Sequence, residues 1–453
     1  MNPKISGCSG LALTVLLVSA ALTACGDKTN DSSRPSTAVA VARYNANGTP
    51  DTANLVGGTG LVTTDVNTSQ DDIAFAVVRQ PVDGKIIAVG TSFSTPRSIV
   101  VIRYNANGTP DSSFGSNGIT VTSLPSADAD GFAAVLQADG KLLVGGRSCP
   151  SSGPCGFLLL RYHTDISTGT PGTLDTGLGT SGIVTTAIPS GSATSANAIA
   201  LSGTNILLAG QSKIGSNFVI ALAQYTSSGA LDSTFGSGGI VTTPIFSLDA
   251  AAAALAVQGD GKIVAAGLAG SAFANVWDVA LLRYNANGSL DTDPTTGFGA
   301  GTGIVTTDIG SSSNYANAVA LQADGKIVVV GNAFATSNTS DIAVLRYNTN
   351  GTLDTTGFGS PNGYVTTNVG AFDNGFAVAV QPDNKIVVAG NADAGIGDRL
   401  ALLRYNADGS PDSGFGTGGI VTRAASGPST IEGAFAVVLQ PQPGGEIVVV
   451  GYD

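Results

Sequence analysis

The sequence predicts an all-β chain, folded as a seven-bladed β-propeller of four-stranded antiparallel blades. Three observations carry this. A Tyr-centred phrase recurs at Tyr44, Tyr104, Tyr162, Tyr225, Tyr284, Tyr347 and Tyr405, at intervals of 60, 58, 63, 59, 63 and 58 residues. Each interval holds four short apolar runs separated by Gly, Asn and Asp turns, the content of one propeller blade. The chain ends supply complementary halves of one further unit, which a closed ring needs and an open array does not. Composition agrees: 62 glycines and only 11% charged residues suit many short strands, and 43% hydrophobic residues exclude wholesale disorder.

Residues 1–24 are expected to be a signal peptide rather than part of the fold. Lys4 gives the positive start, and Leu11–Ala24 is an apolar run too short to span a bilayer. Leu22-Thr23-Ala24-Cys25-Gly26 resembles a bacterial lipoprotein signal, which implies cleavage before Cys25 and lipidation there; an ordinary secretory leader is the alternative. Gly26 after the cysteine favours the outer membrane of the cell envelope by the same resemblance. Residues 25–37 are polar and predict a flexible tether, and 38–453 a single propeller domain.

Within a unit, the Arg-Tyr run is one strand (C). A polar turn such as Asn105-Ala106-Asn107-Gly108-Thr109-Pro110-Asp111 follows, then Phe114-Gly115 and a Val-Thr-rich strand (D). After a variable loop comes an Ala-rich strand (A), as in Ala316-Asn317-Ala318-Val319-Ala320. Its apolar character on both faces and its small side chains place it innermost, where radial sheets converge. The Asp324-Gly325-Lys326 turn then leads to a Val-rich strand (B), because Gly accepts the positive φ of such turns. Strands within 38–64 are C and D, and strands within 434–453 are A and B, so together they close the ring. Blade three departs from the pattern, with Gln224 for Arg and Ser202-Gly203-Thr204-Asn205 at the hairpin.

These phrases resemble the delta-60 repeat family of bacterial envelope proteins over nearly all of 38–453. The resemblance implies a propeller-like fold and supplies no established chemistry.

The formal charge is −12, and −13 once Lys4 leaves with the signal peptide, which argues against nucleic acid as a partner. In an oxidising envelope Cys149 and Cys155 are expected to form a disulfide. Asn45, Asn47, Gly48 and Asp51 resemble part of a calcium loop, but no acidic first ligand and no closing Glu are present, so an Asn-Gly turn is the simpler reading. The recurring Arg103, Arg283, Arg346 and Arg404 are expected to pair with a turn Asp. His163 is the only histidine and replaces a turn Asn, so no catalytic residue is assigned.

In an antiparallel blade the variable D–A and B–C loops share one face, where binding usually resides. Asp72, Asp130, Asp249, Asn314, Asp373 and Glu432 precede the A strands, with Asp71, Asp128 and Asn374 beside them. They are expected to ring the channel mouth as a site for a ligand or a cation, Ca²⁺ being the candidate. Solvated loop acids are the plainer alternative. Phe246, Trp277, Tyr315, Phe334 and Phe372 fall in or beside the same loops. The functional expectation is a non-enzymatic, monomeric envelope lipoprotein, held to the membrane by its lipid and binding a protein or glycan partner through this face. A divalent-cation-dependent hydrolytic propeller is the alternative.

Overall fold

The computed structural model describes residues 36–270, 276–310, 312–336, 339–393, 398–423, 433–440 and 445–452. Its strands form seven separate four-stranded antiparallel sheets, and among the described residues the one helical turn is Gly359–Gly363. Six blades are continuous in sequence, spanning 72–122, 127–186, 191–243, 250–307, 314–367 and 373–423. The seventh joins Gly433–Leu439 (A) and Ile447–Tyr452 (B) to Val39–Tyr44 (C) and Leu61–Thr64 (D). Its seam is a full strand pair, with Val39 opposite Tyr452 and Tyr44 opposite Ile447. The expected closure of the ring by strands from both ends is therefore present. A strands of successive blades pack against one another around the axis, which makes them innermost.

The A strands differ from expectation in one respect. Asp72–Arg79 is buried over its first five residues and only half-buried over its last three, and the other blades repeat this trend. Side chains that face the axis have no sheet opposite them, so the strand is not covered evenly on both sides.

Every A strand also carries a β-bulge. The unpaired residue is Phe75, Phe132, Asn197, Ala253, Asn317, Phe376 or Phe435 in blades one to seven. A glycine of the B strand faces each bulge. A Cβ added at Gly90, Gly146, Gly210, Gly267, Gly331, Gly390 or Gly451 would lie between 1.6 and 1.9 Å from a carbonyl oxygen of the A strand. The bulge brings that carbonyl inward, and only glycine leaves room for it.

In blades two, four, five and six the A–B hairpin uses a three-residue loop, and blade one has one residue more, with Gln80 N–H donating to Lys85 O at 2.8 Å. Gln137 N–H donates to Lys141 O at 2.9 Å, Gly140 takes φ +85°, and Asp139 Oδ1 accepts the Lys141 N–H at 3.1 Å. Blade three instead makes a tighter hairpin in which Ser202 pairs directly with Asn205 and Gly203 takes φ +62°.

Adjacent blades are joined on the hairpin face by a repeated clasp. The buried C-strand Arg gives its Nε to the turn Asp, as in Arg43–Asp51 at 2.7 Å, Arg283–Asp291 at 2.7 Å and Arg404–Asp412 at 2.6 Å. The hairpin Lys reaches the same carboxylate, at 2.9 Å in blades one, two, four, five and six. In blades one, four, five and six the guanidinium lies over the Phe of the Phe-Gly pair, 4.5 Å from the Phe415 centroid for Arg404. Its Nη1 then donates across the seam to the C–D turn of the next blade: Arg43 to Ala106 O, Arg161 to Ser227 O, Arg283 to Thr349 O, Arg346 to Ala407 O and Arg404 to Ala46 O. The last of these locks the ring. A backbone bond crosses each seam beside it, such as Gly416 N–H to Asn47 O at 2.9 Å. Six seams add a buried Tyr hydroxyl bonded to a D-strand Thr of the preceding blade, at 2.7–2.8 Å. Burial pushes these phenols above their ordinary pKa range, so they remain protonated donors or acceptors. The Arg–Asp pairing expected from the sequence is thus present and structural.

Two measurements check these points. Gly331→Ala should cost about 3 kcal/mol in denaturant unfolding, since the A-strand carbonyl cannot yield. Gly259→Ala, which has open space around it, should stay within about 0.5 kcal/mol of the parent. Arg404→Met should lower stability by about 2–3 kcal/mol, because it leaves Asp412 to Lys385 alone and removes the bond to Ala46 O across the closing seam.

Candidate functional site

Strand direction puts the D–A and B–C loops on one face and the hairpins and C–D turns on the other. The first and last described residues, Ser36 and Tyr452, also lie on the variable face, before the start of strand C and at the end of strand B. The loops were expected to bring their acids to the channel mouth. The structure directs most of those side chains into the blades instead.

Asp72, Asn314 and Asp373 share one register, three residues before the bulge, and all are fully buried. Each caps its own D–A loop. Asp72 Oδ2 accepts the N–H groups of Val66 and Asn67 at 2.8 and 3.0 Å. Asp373 Oδ2 accepts those of Val369 and Gly370 at 2.6 and 3.0 Å. Asn314 Nδ2 donates to Ser312 O at 2.9 Å. Glu432, of the same register in blade seven, lies outside the described residues.

The residue one position earlier reaches the preceding blade. Asp71 Oδ1 accepts Thr37 N–H at 2.8 Å, Asp128 Oδ1 accepts Arg97 N–H at 2.9 Å, and Asp249 Oδ1 accepts Phe218 N–H at 2.7 Å. In blade five Ser313 Oγ takes this place, accepting Trp277 N–H at 3.3 Å. Each bond joins the start of one blade's C strand to the next blade's A strand. This row of oxygens staples the variable face as the clasp staples the other.

Asp130 sits one residue nearer the bulge and is also fully buried. Arg147 Nε donates to its Oδ2 at 2.7 Å, and Arg97 Nε lies 3.1 Å from its Oδ1. Its charge is matched by two guanidinium groups, so it has no need of a cation. The convergent carboxylate ring is therefore replaced by caps, staples and one ion-paired cluster, and no group of three or more potential metal ligands occurs among the described residues.

Asp373 Oδ1 is buried with no hydrogen-bond partner among the described residues. Burial raises its pKa, against the backbone donors of Gly370 and Val369, and Asp341 and Asp393 raise it further. Asp72 is raised by burial too, against the Ser92 hydroxyl and two backbone donors.

Sequence reasoning missed the bulge row. Phe376, Phe435, Phe75 and Phe132, from four consecutive blades, form an aromatic arc beside the axis with centroids 4.9, 5.3 and 5.6 Å apart. Asn197 and Asn317 fill the row in blades three and five, donating to Ala252 O at 2.9 Å and Gly375 O at 2.8 Å in the next blade. The signal was present as a Gly in every Val-rich strand. On the variable face Trp277 and Tyr315 pack with Phe218 and Leu268, and Tyr315 meets Phe334 at 5.4 Å. Phe246 is 63% exposed. Cys149 and Cys155 sit at a B–C loop of that face, their sulfur atoms 2.09 Å apart.

The capping role of Asp373 has a checkable sign. Its raised pKa means that the ionised form weakens the fold at neutral pH. Asp373→Asn keeps an acceptor for both loop N–H groups and removes that charge; a neutral Asn stands at the same register position in blade five, as Asn314. The variant should melt at or above the parent at pH 7, with the advantage fading as pH falls through the raised native value and gone below the ordinary carboxyl value of about 4. A melting point several degrees lower at pH 7 would refute the assignment.

Six stretches of the chain match a family described as a domain of unknown function (DUF5122) beta-propeller: residues 28–53, 83–114, 205–235, 258–293, 322–356 and 381–415. No curated protein matches the sequence. Among solved structures the chain is similar to Sqt1 from Chaetomium thermophilum, at 13% identity and TM-score 0.44, over 84% of this chain and 93% of that one. It is similar to a protein of unknown function from Dyadobacter fermentans, at 12% identity and TM-score 0.42, over 72% and 95%. It is similar to YCF48 bound to D1 peptide, at 11% identity and TM-score 0.39, over 88% and 98%. Together with seven four-stranded blades, the family match marks the chain as a β-propeller repeat protein.

Proposed function

We propose that this protein is a non-enzymatic envelope lipoprotein of the delta-60 type, anchored at Cys25, that binds a protein or glycan partner through its D–A and B–C loops. One observation carries the reading. The residues repeated in every blade are consumed by the clasp, the bulge and the loop caps, so chemistry left for recognition lies in what differs between copies. On the variable face that includes exposed Phe246 and the Trp277–Tyr315–Phe334 cluster. Aromatic side chains in such positions suit protein and sugar surfaces alike. The Cys149–Cys155 pair, read as a disulfide, would fix one of these loops.

The alternative, a divalent-cation-dependent hydrolytic propeller, draws its support from Asp373 Oδ1 with Asp341 and Asp393 nearby. Calcium titration separates the two. The binding reading expects the same melting temperature with and without millimolar Ca²⁺, and a shift abolished by Asp373→Asn would favour the cation site.

The partner test uses the full chain against solubilised envelope. Phe246→Ala with Trp277→Ala should weaken capture at least tenfold, with unfolding unchanged within about 1 kcal/mol. Val82→Ser with Ile166→Ser, both on the hairpin face, should leave capture intact. Equal loss from both pairs would sink the reading.

A further inference from the structure

We propose that the axis, on the side of the variable face, holds a second site: one for a small free carboxylate that carries a single apolar ring, with Arg147 as its anchor. The site is independent of the loop partner and of the lipid anchor. One wall is the aromatic arc. Phe376, Phe435, Phe75 and Phe132 follow one another with tilted or edge-on rings, and Tyr452 stacks on Phe435 at 5.7 Å. Phe376 and Phe435 are only half-buried. The opposite wall is short. Blades three, four and five place Asn197, Ala253 and Asn317 at the same level, and both amides turn sideways to carbonyl oxygens of the next blade. Long rings on one side and short side chains on the other leave an off-centre space bounded by aromatic faces and edges, which suits a ring.

Arg147 ends the arc. Its guanidinium lies over Phe132, 5.7 Å from the ring centroid, and its side chain is 14% exposed. It gives Nε to Asp130 Oδ2 at 2.7 Å, and neither Nη has a hydrogen-bond partner among the described residues. The clasp differs, since there Arg404 gives its Nη1 to Ala46 O. Asp130 does not use up this charge, because Arg97 Nε also lies 3.1 Å from it. Two guanidinium groups thus share one fully buried carboxylate, and Asp128 answers Arg97 from the rim at 3.2 Å. The unspent side of the Arg147 fork can take the two oxygens of an incoming carboxylate.

No other charge reaches the arc from the strands nearest the axis. Besides Asp130 and Arg147, the described A and B strands carry Asp72, Asp128, Asp373, Asp393, Arg79 and Lys213. Asp72 and Asp373 are fully buried and cap their own loops. Asp128 is engaged by Arg97. Asp393 and Lys213 stand at the loop ends of their B strands, and Lys213 reaches outward to Phe218 of strand C, 5.9 Å from its centroid. Arg79 stands at the hairpin end, against Gly84. The charge that the arc meets is therefore positive, in a chain of formal charge −12, and it selects an anion. Phe75 and Phe132 are 8% and 4% exposed, which leaves access for one ring rather than for a chain.

The test titrates the full chain, by calorimetry, with hydrocinnamate (a phenyl ring on a short carboxylate chain) and with its neutral amide. The acid should bind at least tenfold tighter than the amide. Arg147→Met should erase that preference. Arg399→Met removes the same charge from a C strand farther from the axis and should keep it. Should Arg147→Met unfold by leaving Asp130 to Arg97 alone, Arg147→Met combined with Asp130→Asn reads the same preference without the buried charge. Phe435→Leu should weaken acid and amide alike. No binding of the acid at about 10 mM, equal binding of acid and amide, or a preference that survives loss of Arg147 overturns the proposal. N-acetyl-alanyl-phenylalanine should bind at least tenfold more weakly than hydrocinnamate, and binding as tight or tighter would give the site to a peptide end and overturn the small free acid as its occupant.

Discussion

The ring depends on a guanidinium placed where water cannot reach it. A buried charge is costly unless its hydrogen bonds are met. In blades four, five and six the clasp meets them from three directions: a carboxylate and a Phe face within the blade, and a carbonyl oxygen from the next blade. Arg404 shows the consequence, since its third partner is Ala46 O, 358 positions away in the chain. A blade without its neighbour would leave that donor unanswered, so the clasp makes each blade's stability conditional on the next. The seven-fold backbone bond at the same seam has no side-chain content, so it tolerates any sequence that keeps the turn.

That conditionality divides the molecule into two faces with different freedoms. On the hairpin face one change disturbs two blades, which explains why the turn Asp, the Arg and the Phe-Gly pair recur with little alteration. Gly351 illustrates the tightness: at φ +88° its hydrogen faces Phe298 of the previous blade, where a Cβ would lie 2.8 Å from the ring. On the variable face the staples need only an oxygen at one register position, and Asp71, Asp128, Asp249 and Ser313 all provide it. Everything beyond that oxygen is free to differ.

The blade count, the ring closure and the Arg–Asp pairing were legible because each repeats at fixed spacing, and a repeated residue usually has a repeated partner. The roles of the acids before the A strands were not. Asp71 and Asp72 are neighbours in sequence, yet one bonds the preceding blade and the other its own loop. That difference comes from strand alternation plus a bulge three residues on, and a one-residue bulge cannot be placed from composition. Asp130 was equally opaque, because Arg97 and Arg147 come from a different blade and a different strand. The recurring B-strand glycine was visible throughout, but it reads as a turn residue until the opposing carbonyl is seen.

Blade three shows how far the clasp can be altered without loss of the ring. Gln224 replaces the Arg, and Asn205 Nδ2 reaches Asp232 Oδ2 at 2.8 Å where a Lys stands elsewhere. Removing both cations together, with Asp232 only half-buried, avoids the penalty of a stranded charge. The seam to blade four is then held by other means: Gly236 N–H to Asn287 O at 2.8 Å, Tyr284 to Thr243 at 2.8 Å, Asn197 to Ala252 O at 2.9 Å and Phe218 N–H to Asp249 at 2.7 Å. The last two lie at the bulge and on the variable face. Where the hairpin face gives up its ion pairs, the axis and the loops carry the junction. A seam is therefore specified by the sum of its three levels, and any one can be relaxed only where the others are complete.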